Sequence, residues 1–204
     1  MYLKNILVVL LFIISLTSCG KDPVIKKFFI LEFDPAQATE EIKHLSFSPL
    51  PYSVKIEPLN ISRSYNQERI ALRTNSNELQ YYYHNQWAQS PASAIRYFLW
   101  QRLKQNQLFE NCSMDIQVTI PQFLIKGSIS QIERLVREDD HAAHIKMTLE
   151  LVELENSKPI VTYHIYRFES LDNDAKMNVL AQGLSKILSE EIDQFAILIF
   201  NELN

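Results

Sequence analysis

Alternation of apolar and polar side chains in the second half of the chain constrains its fold more than any other feature. Successive side chains of a strand point to opposite faces, so this pattern indicates strands with one buried face. A charged region at 133–141 and a turn at 156–159 are predicted to join the strands as hairpins. An antiparallel meander is therefore predicted from three alternating stretches: 114–120 continuing into 123–130, then 143–152, then 160–168.

Two other segments carry apolar residues at the three- and four-residue spacing of an amphipathic helix. The first begins at Ser90-Pro91, a capping hydroxyl followed by a proline at the first helical position, and is predicted to end near Gln107. The second follows the polar run Asp172–Asp174, which is predicted to cap it, and reaches about Leu203.

Shorter strand-like runs precede the first helix, and a loop with one helical turn is predicted at 36–51. Strands and two amphipathic helices together predict the α+β class, as a two-layer domain in which a mixed or antiparallel sheet packs against both helices. No repeat or shift in composition marks a second domain, so residues 27–204 are predicted to form a single domain. The early strands are predicted at 27–33, 52–59, 69–73 and 78–83.

The start of the chain has the features of a secretory signal: Lys4, an apolar run from Ile6 to Leu16, and small residues before a cysteine. A transmembrane helix needs about 20 apolar residues, and this run is shorter. Leu16-Thr17-Ser18-Cys19 resembles the lipobox of bacterial lipoproteins, in which the cysteine is lipidated and the chain is cleaved before it. The resemblance implies a signal peptide at 1–18, lipidation of Cys19, a lipidated tether at 19–26 and a domain outside the cytoplasm.

Charge and cysteine content exclude several functions. The net charge is −4, and it becomes −5 when residues 1–18, with one lysine and no acid, are removed. An acidic chain is a poor partner for nucleic acid. With Cys19 lipidated, Cys112 has no disulfide partner and is predicted to be a partly buried residue or, alternatively, a free reactive thiol. Three glycines, at 20, 127 and 183, leave no glycine-rich phosphate loop.

No arrangement of residues predicts catalysis. His141 and His144 follow two aspartates, but this cluster lies in the predicted charged hairpin, where a solvated tip is expected and a metal is not. No serine has a base and an acid at a recognised spacing. We therefore predict a protein that is not an enzyme, with no cofactor other than the covalent lipid on Cys19.

Aromatic and arginine residues cluster between the predicted early strands and the first helix. Alternation along a strand sends at least one of the three tyrosines at 81–83 outward, and such residues are enriched at interfaces. The alternative is that the arginines pair with the local acids Glu68 and Glu78, and that the tryptophan packs against the helix start. The residues predicted to bind a partner are Arg69, Arg73, Tyr82 and Trp87.

The segment from Glu68 to Pro91 resembles the ABC-type transport auxiliary lipoprotein family. The positions that carry the resemblance are Arg69-Ile70-Ala71-Leu72-Arg73, Glu78-Leu79-Gln80-Tyr81-Tyr82, Trp87-Ala88 and Ser90-Pro91. The order of elements agrees along the whole mature chain. One departure is the spacing from Tyr65 to Arg69, which is slightly longer than expected for the family.

The resemblance implies an accessory part of an envelope transport machine, as in MCE-domain and paraquat-inducible systems. Such systems move lipids or other hydrophobic molecules between inner and outer membranes, with the ATPase and permease on separate chains. An MCE-domain partner, a docking or assembly role and a homo-oligomer are implied. Gly20 after Cys19, where aspartate would favour inner-membrane retention, favours the outer membrane, with the domain facing the periplasm. The alternative is a stand-alone periplasmic carrier that binds lipid between sheet and helices.

Overall fold

The computed structural model describes residues 25–32, 48–115, 120–137 and 140–204. Within these ranges the chain forms one mixed sheet of nine strands and two helices, which confirms the predicted α+β class. The elements are β1 Lys27–Phe29, β2 Leu50–Ile56, β3 Asn60–Ile61, β4 Arg69–Asn75, β5 Glu78–Trp87, α1 Pro91–Gln105, β6 Phe109–Ser113, β7 Phe123–Arg137, β8 Asp140–Glu153, β9 Lys158–Leu171 and α2 Met177–Leu203.

The long strand β7 organises the sheet. Along one edge it pairs antiparallel with β8, which pairs antiparallel with β9, so the predicted meander is confirmed. Along its other edge β7 pairs in parallel with β2, β3 and β4 in turn. Beyond β4 the sheet continues through antiparallel β5 to parallel β1, and beyond β2 it continues to parallel β6. The sheet is therefore mixed, with β1 at one end of the strand order and β6 at the other.

The prediction of a charged hairpin at 133–141 is wrong. β7 extends to Arg137 and β8 begins at Asp140, so most of this region is strand. Glu133 is fully buried and Arg134 nearly so. The strand persists through these charged residues because their partners lie inside the fold: Arg73 binds Glu133, and Arg134 donates to the carbonyl of Ala175.

The strand predicted at 114–120 is also wrong where the structure describes it. Met114 and Asp115 lie in a bend and Ile120 is outside any strand, whereas residues 116–119 lie outside the described ranges. The strand lies earlier, at Phe109–Ser113, because α1 ends at Gln105 and Gln107 adopts a positive φ of 51° that reverses the chain. The reversal brings β6 beside β2.

Two further boundaries differ from the predictions. The helix α2 begins at Met177, with Lys176 as an N-cap that provides no side-chain hydrogen bond, so 172–174 does not cap it. Those residues form a separate turn, in which the Ala175 N–H donates to the Asp172 carbonyl at 2.9 Å. At the start of the domain, β1 covers Lys27–Phe29, residues 30–32 of the strand predicted at 27–33 are outside any strand, and residue 33 lies outside the described ranges. Most of the predicted loop at 36–51, including its helical turn, lies outside the described ranges.

Both helices pack on the same side of the sheet. The start of α1 is as predicted, with Pro91 first and the Ser90 hydroxyl accepting from the Ser93 N–H at 3.3 Å. Gly183 of α2 lies so close to β8 that a methyl group there would be 3.1 Å from the Ala143 Cβ. Neither helix in the described ranges is long and apolar enough to cross a membrane. Almost fully buried side chains occupy the space between the layers: Ile95, Phe98, Leu99, Leu103, Leu184, Leu188, Ile192 and Phe195.

The meander thus has one face toward the helices and one open face. Arg167 of β9 contacts Glu191 of α2, and Glu169 accepts from Lys186 of the same helix at 2.6 Å. Alternation then places Tyr166 and Phe168 on the opposite side of β9. We call that opposite side of the sheet the open face.

Cys112 lies in β6 and is partly buried, which confirms the first of its two predicted readings. Burial raises the pKa of the Cys112 thiol to about 12. Because the thiolate is the reactive form, we expect alkylation by iodoacetamide at pH 8 to be roughly a thousandfold slower in the native chain than after unfolding. Mass spectrometry of a mature chain carrying Cys19→Ser measures both rates, and equal rates would contradict the expectation.

Candidate functional site

A buried polar network lies on the open face around Glu133 of β7. His144 of β8 lies directly opposite Glu133 in the antiparallel register, and its Nδ1 is 3.0 Å from Glu133 Oε1. From β4, Arg73 Nε donates to the same oxygen at 2.8 Å. The Tyr65 hydroxyl, from the turn after β3, donates to Oε2 at 2.5 Å. Three separate segments thus converge on one carboxylate that is fully buried.

The hydrogen bonds of this network determine the ionisation of its members. Burial alone opposes the charge on Glu133, but hydrogen bonds from His144, Arg73 and Tyr65 outweigh it and lower the pKa of the carboxyl. The hydrogen bond to Glu133 raises the pKa of the Arg73 guanidinium. Burial, followed by the interaction with Glu133, raises the pKa of Tyr65. Glu133 is therefore an ionised acceptor, and His144 donates to it through Nδ1 because a carboxylate only accepts.

Aromatic rings cover the network on the β9 side. The Phe168 ring stacks on the His144 ring with centroids 4.4 Å apart, and Tyr166 packs edge-on against both. The Lys146 ammonium lies over the Tyr166 ring, 5.7 Å from its centroid. Tyr166 and Phe168 are themselves exposed. The open face therefore combines a fixed polar centre with an exposed strip of aromatic and cationic side chains, a composition that interfaces favour.

The four residues predicted to bind a partner divide between the two faces of the sheet. Arg69 and Arg73 lie on the open face, where Arg69 sits over the Tyr81 ring at 5.1 Å from its centroid. Strand alternation turns Tyr82 to the other side, and it is half-buried against the core. Trp87 is 3% exposed within that core. The four do not form one surface.

These positions bear on Trp87 and on the alternative offered for the arginines. Trp87 is not exposed, because its ring packs into the core. The alternative pairing of Arg73 with Glu68 or Glu78 is wrong, since Arg73 pairs with Glu133, 60 residues away in sequence. The partner-binding role of Arg69, Arg73 and Tyr82 stays a prediction. Cys19 lies outside the described ranges, and its lipidation also stays a prediction.

The histidine pair does not form a joint site. Three-residue spacing on a strand sends His141 and His144 to opposite faces of β8. His141 Nδ1 lies 2.9 Å from Arg134 Nη2, on the helix side. The expected solvated tip is wrong for His144, which is buried against Phe168. In the part of the chain that the structure describes, no group of three or more histidine, cysteine or acidic residues is placed to hold a metal.

The central residue of the network, Glu133, was missed because a run of charges usually indicates a solvated turn. Alternation does not reveal it either, because the two-residue period of Ile125 and Ile129 would place Glu133 on the helix side of β7. A register shift between Ile129 and Gln131 reverses the alternation and turns Glu133 to the open face, opposite His144. Nothing local indicates Tyr65 or Arg73 as their partners, since both contacts are long-range.

Fold and site together define a two-layer α+β module with helices on one side of a mixed sheet and an open face on the other. The chain belongs to the family of ABC-type transport auxiliary lipoprotein components, whose family model matches residues 32–196. This confirms the resemblance drawn from the segment 68–91. Membership makes the chain an auxiliary lipoprotein of an ABC-type transport system. A search of curated proteins found no match.

Solved structures share the fold at low sequence identity. A crystal structure of a protein from Xanthomonas campestris has a TM-score of 0.73 at 11% identity, covering 86% of this chain and 95% of that one. A crystal structure of an uncharacterised protein has a TM-score of 0.57 at 12% identity, covering 88% of this chain and 99% of that one. The described arrangement of sheet and helices is thus a known fold.

Proposed function

We propose that this protein is the membrane-anchored accessory lipoprotein of an MCE-associated transport system that moves lipids or other hydrophobic molecules across the cell envelope. Its role is non-catalytic docking and assembly. Cys19 carries the lipid, residues 19–26 are the tether, and the domain faces the periplasm from the outer membrane, as Gly20 favours. The partner is an MCE-domain protein, and family membership supports the coarser part of this proposal, a role in an ABC-type transport system.

The observation that carries this proposal is the open face of the sheet. Both helices pack on the other side, so the sheet is available to a partner along β4, β8 and β9. Its centre is rigid, because Glu133 is bound from three directions. Around that centre Arg69, Tyr166 and Phe168 supply the arginine and aromatic side chains from which interface anchors are usually built. We therefore extend the predicted contact beyond β4 and β5 to β9.

The alternative, a stand-alone lipid carrier, requires room for acyl chains. The space between sheet and helices is occupied by buried side chains of the core. A cavity of about 310 Å³ lies at the end of β7 and β8, outside this interlayer, and is lined by Ile120, Pro121, Gln122, Glu153, Leu154 and Glu155. That volume is at the lower limit for small-molecule pockets. Native mass spectrometry separates the two functions, because stoichiometric lipid bound to the isolated domain would favour the carrier.

The docking role is tested with Arg69→Ala and Tyr166→Ala. Both side chains are exposed, so the melting temperature is expected to stay within a few degrees. Loss of one interface anchor costs about 2 kcal/mol, and capture of the partner is expected to weaken roughly thirtyfold. The measurement is co-purification after crosslinking in the intact envelope, with mass spectrometry to identify the partner.

Lys186→Ala provides the matched control. Lys186 is an exposed cation on the helix side, paired only at the surface with Glu169. It is expected to leave both stability and partner capture unchanged. Equal capture by wild-type, Arg69→Ala and Tyr166→Ala chains would contradict docking through the open face.

A further inference from the structure

The first described residues carry an unusual concentration of exposed apolar side chains. Ile25 is 74% exposed, Phe28 58% and Ile30 56%. All three fall within six consecutive residues at the end of the strand order, in and around the short edge strand β1. Phe29 and Leu31, which alternate with Phe28 and Ile30, pack against the core. The segment is thus fixed to the domain by one side and presents an apolar side outward.

The strand pairing adds a further aromatic residue to this edge. Lys27 lies opposite Asn85 in the parallel pair of β1 and β5. Because the strands are parallel, the residues before Lys27 and the residues before Asn85 lie at the same end of the pair. Tyr83 therefore lies at the same end as Ile25. Tyr83 is exposed. Tyrosine side chains favour the boundary between membrane and water, where the ring is buried and the hydroxyl remains hydrated.

The local charge opposes that of the whole chain. Residues 20–30 contain three lysines, at 21, 26 and 27, against one aspartate, so the segment carries a net charge of +2 in a chain whose net charge is −4. Lys26 and Lys27 are exposed. Anionic lipid headgroups attract such basic residues next to an apolar surface.

The length of the tether restricts what this edge can meet. Six residue steps separate Cys19 from Ile25, and an extended chain spans at most ~3.6 Å per residue, or about 20 Å in total. With its lipid in the bilayer, Cys19 keeps Ile25 within that distance of the headgroups. We propose that residues 25–30, together with Tyr83, form a second membrane contact, in which Ile25, Phe28 and Ile30 enter the headgroup region and Lys26 and Lys27 bind anionic lipid. This inference rests on the lipid anchor in the proposed function.

Such a contact would fix the orientation of the domain as well as its location. Attachment through the lipid alone is a single-point contact, about which the module can rotate above the bilayer. A second contact along β1 holds the β1 edge of the sheet against the membrane and the β9 edge away from it, because β4, β5 and β1 lie on one side of β7 whereas β8 and β9 lie on the other. Phe28 lies in register with Gln86 and Arg69, so the β8 and β9 part of the open face is the part presented to a periplasmic partner.

The test uses the full-length lipoprotein, matured and lipidated in cells, reconstituted in vesicles of phosphatidylcholine with phosphatidylglycerol, with or without bromine on the acyl chains. Phe28→Trp places a fluorophore in the proposed contact at an exposed position. Tyr97→Trp is the matched control, since Tyr97 is exposed on α1, which contacts β6 near the start of β7, whereas the strands leading to β1 pair with the end of β7. The parent emission of Trp87 and Trp100 is subtracted from both.

We expect the added emission of Phe28→Trp to shift to shorter wavelength and to be quenched by brominated lipid, whereas that of Tyr97→Trp is neither shifted nor quenched. Equal emission of Phe28→Trp in brominated and unbrominated vesicles would overturn the inference. The same shift to shorter wavelength in unlipidated Cys19→Ser protein without vesicles would also overturn it, because a second copy of the chain would then cover the edge. Mass spectrometry of the same sample reports lipidation of Cys19. An unlipidated product therefore identifies failure of the anchor, and a lipidated but unquenched one identifies failure of this contact.

Discussion

Replacing Asp193 by alanine is expected to lower the free energy of unfolding by about 3–5 kcal/mol. Asp193 of α2 accepts two hydrogen bonds from Arg102 of α1, from Nε at 2.6 Å and from Nη2 at 2.5 Å. Both side chains are 0% exposed. Asn106 adds a third donor at 3.1 Å. Asp193→Ala removes the carboxylate that pairs with a fully buried guanidinium, and this accounts for the size of the effect.

Chemical denaturation followed by circular dichroism measures this loss, and Glu190→Ala is the control. Glu190 is on the same helix and binds Arg167 at 3.0 Å, but the Glu190 side chain is 33% exposed and that of Arg167 44%. Exposed pairs contribute about 0–1 kcal/mol, so Glu190→Ala is expected to have little effect. The double variant Arg102→Met with Asp193→Leu removes both charges and is expected to recover much of the stability. A similar small loss for Asp193→Ala and Glu190→Ala would contradict the prediction.

Local patterns predicted the features of the fold that depend on neighbours in sequence. The meander followed from alternation, and the start of α1 followed from Ser90-Pro91, since both signals act within a few residues. The start of α2 was misplaced because a tertiary contact decides it. Arg134 of β7 donates to the Ala175 carbonyl at 2.9 Å and holds the preceding turn apart from the helix. No local pattern contains that contact.

The candidate site was only partly predictable for the same reason. The sequence predicts that Arg69 and Arg73 bind a partner or pair with local acids, but it does not reveal that Arg73 reaches a carboxylate on β7. Trp87 was predicted as a contact, whereas the strand β5 carries it into the core. Alternation determines that neighbouring residues face opposite ways, but the face that the helices cover depends on the assembled sheet. Sequence reasoning therefore found the segment and could not divide it between the faces.

Removal of Glu133 is the second change for which we expect a large loss of stability. Glu133→Ala leaves Arg73, Tyr65 and His144 around an empty position, and breaking a buried charge pair typically costs about 3–5 kcal/mol. Glu133→Gln has nearly the same shape and keeps an acceptor oxygen, so its cost is expected to be smaller, near the value of about 1.5–3 kcal/mol for a hydrogen bond to a charged group. Both are measured by denaturation at neutral pH.

The pH dependence of stability distinguishes the charge of Glu133 from its packing. Hydrogen bonds from its neighbours, against the opposing effect of burial, lower the pKa of the folded carboxyl below the unfolded value of about 4.3. The folded state therefore gains stability from ionised Glu133 above that pH and loses it as the pH falls through the folded pKa. Glu133→Gln cannot titrate at this position, so its deficit relative to the wild type is expected to shrink as the pH is lowered from 7 toward 3. If the deficit stays constant over that range, the carboxylate charge does not hold the open face together, and shape alone accounts for the cost.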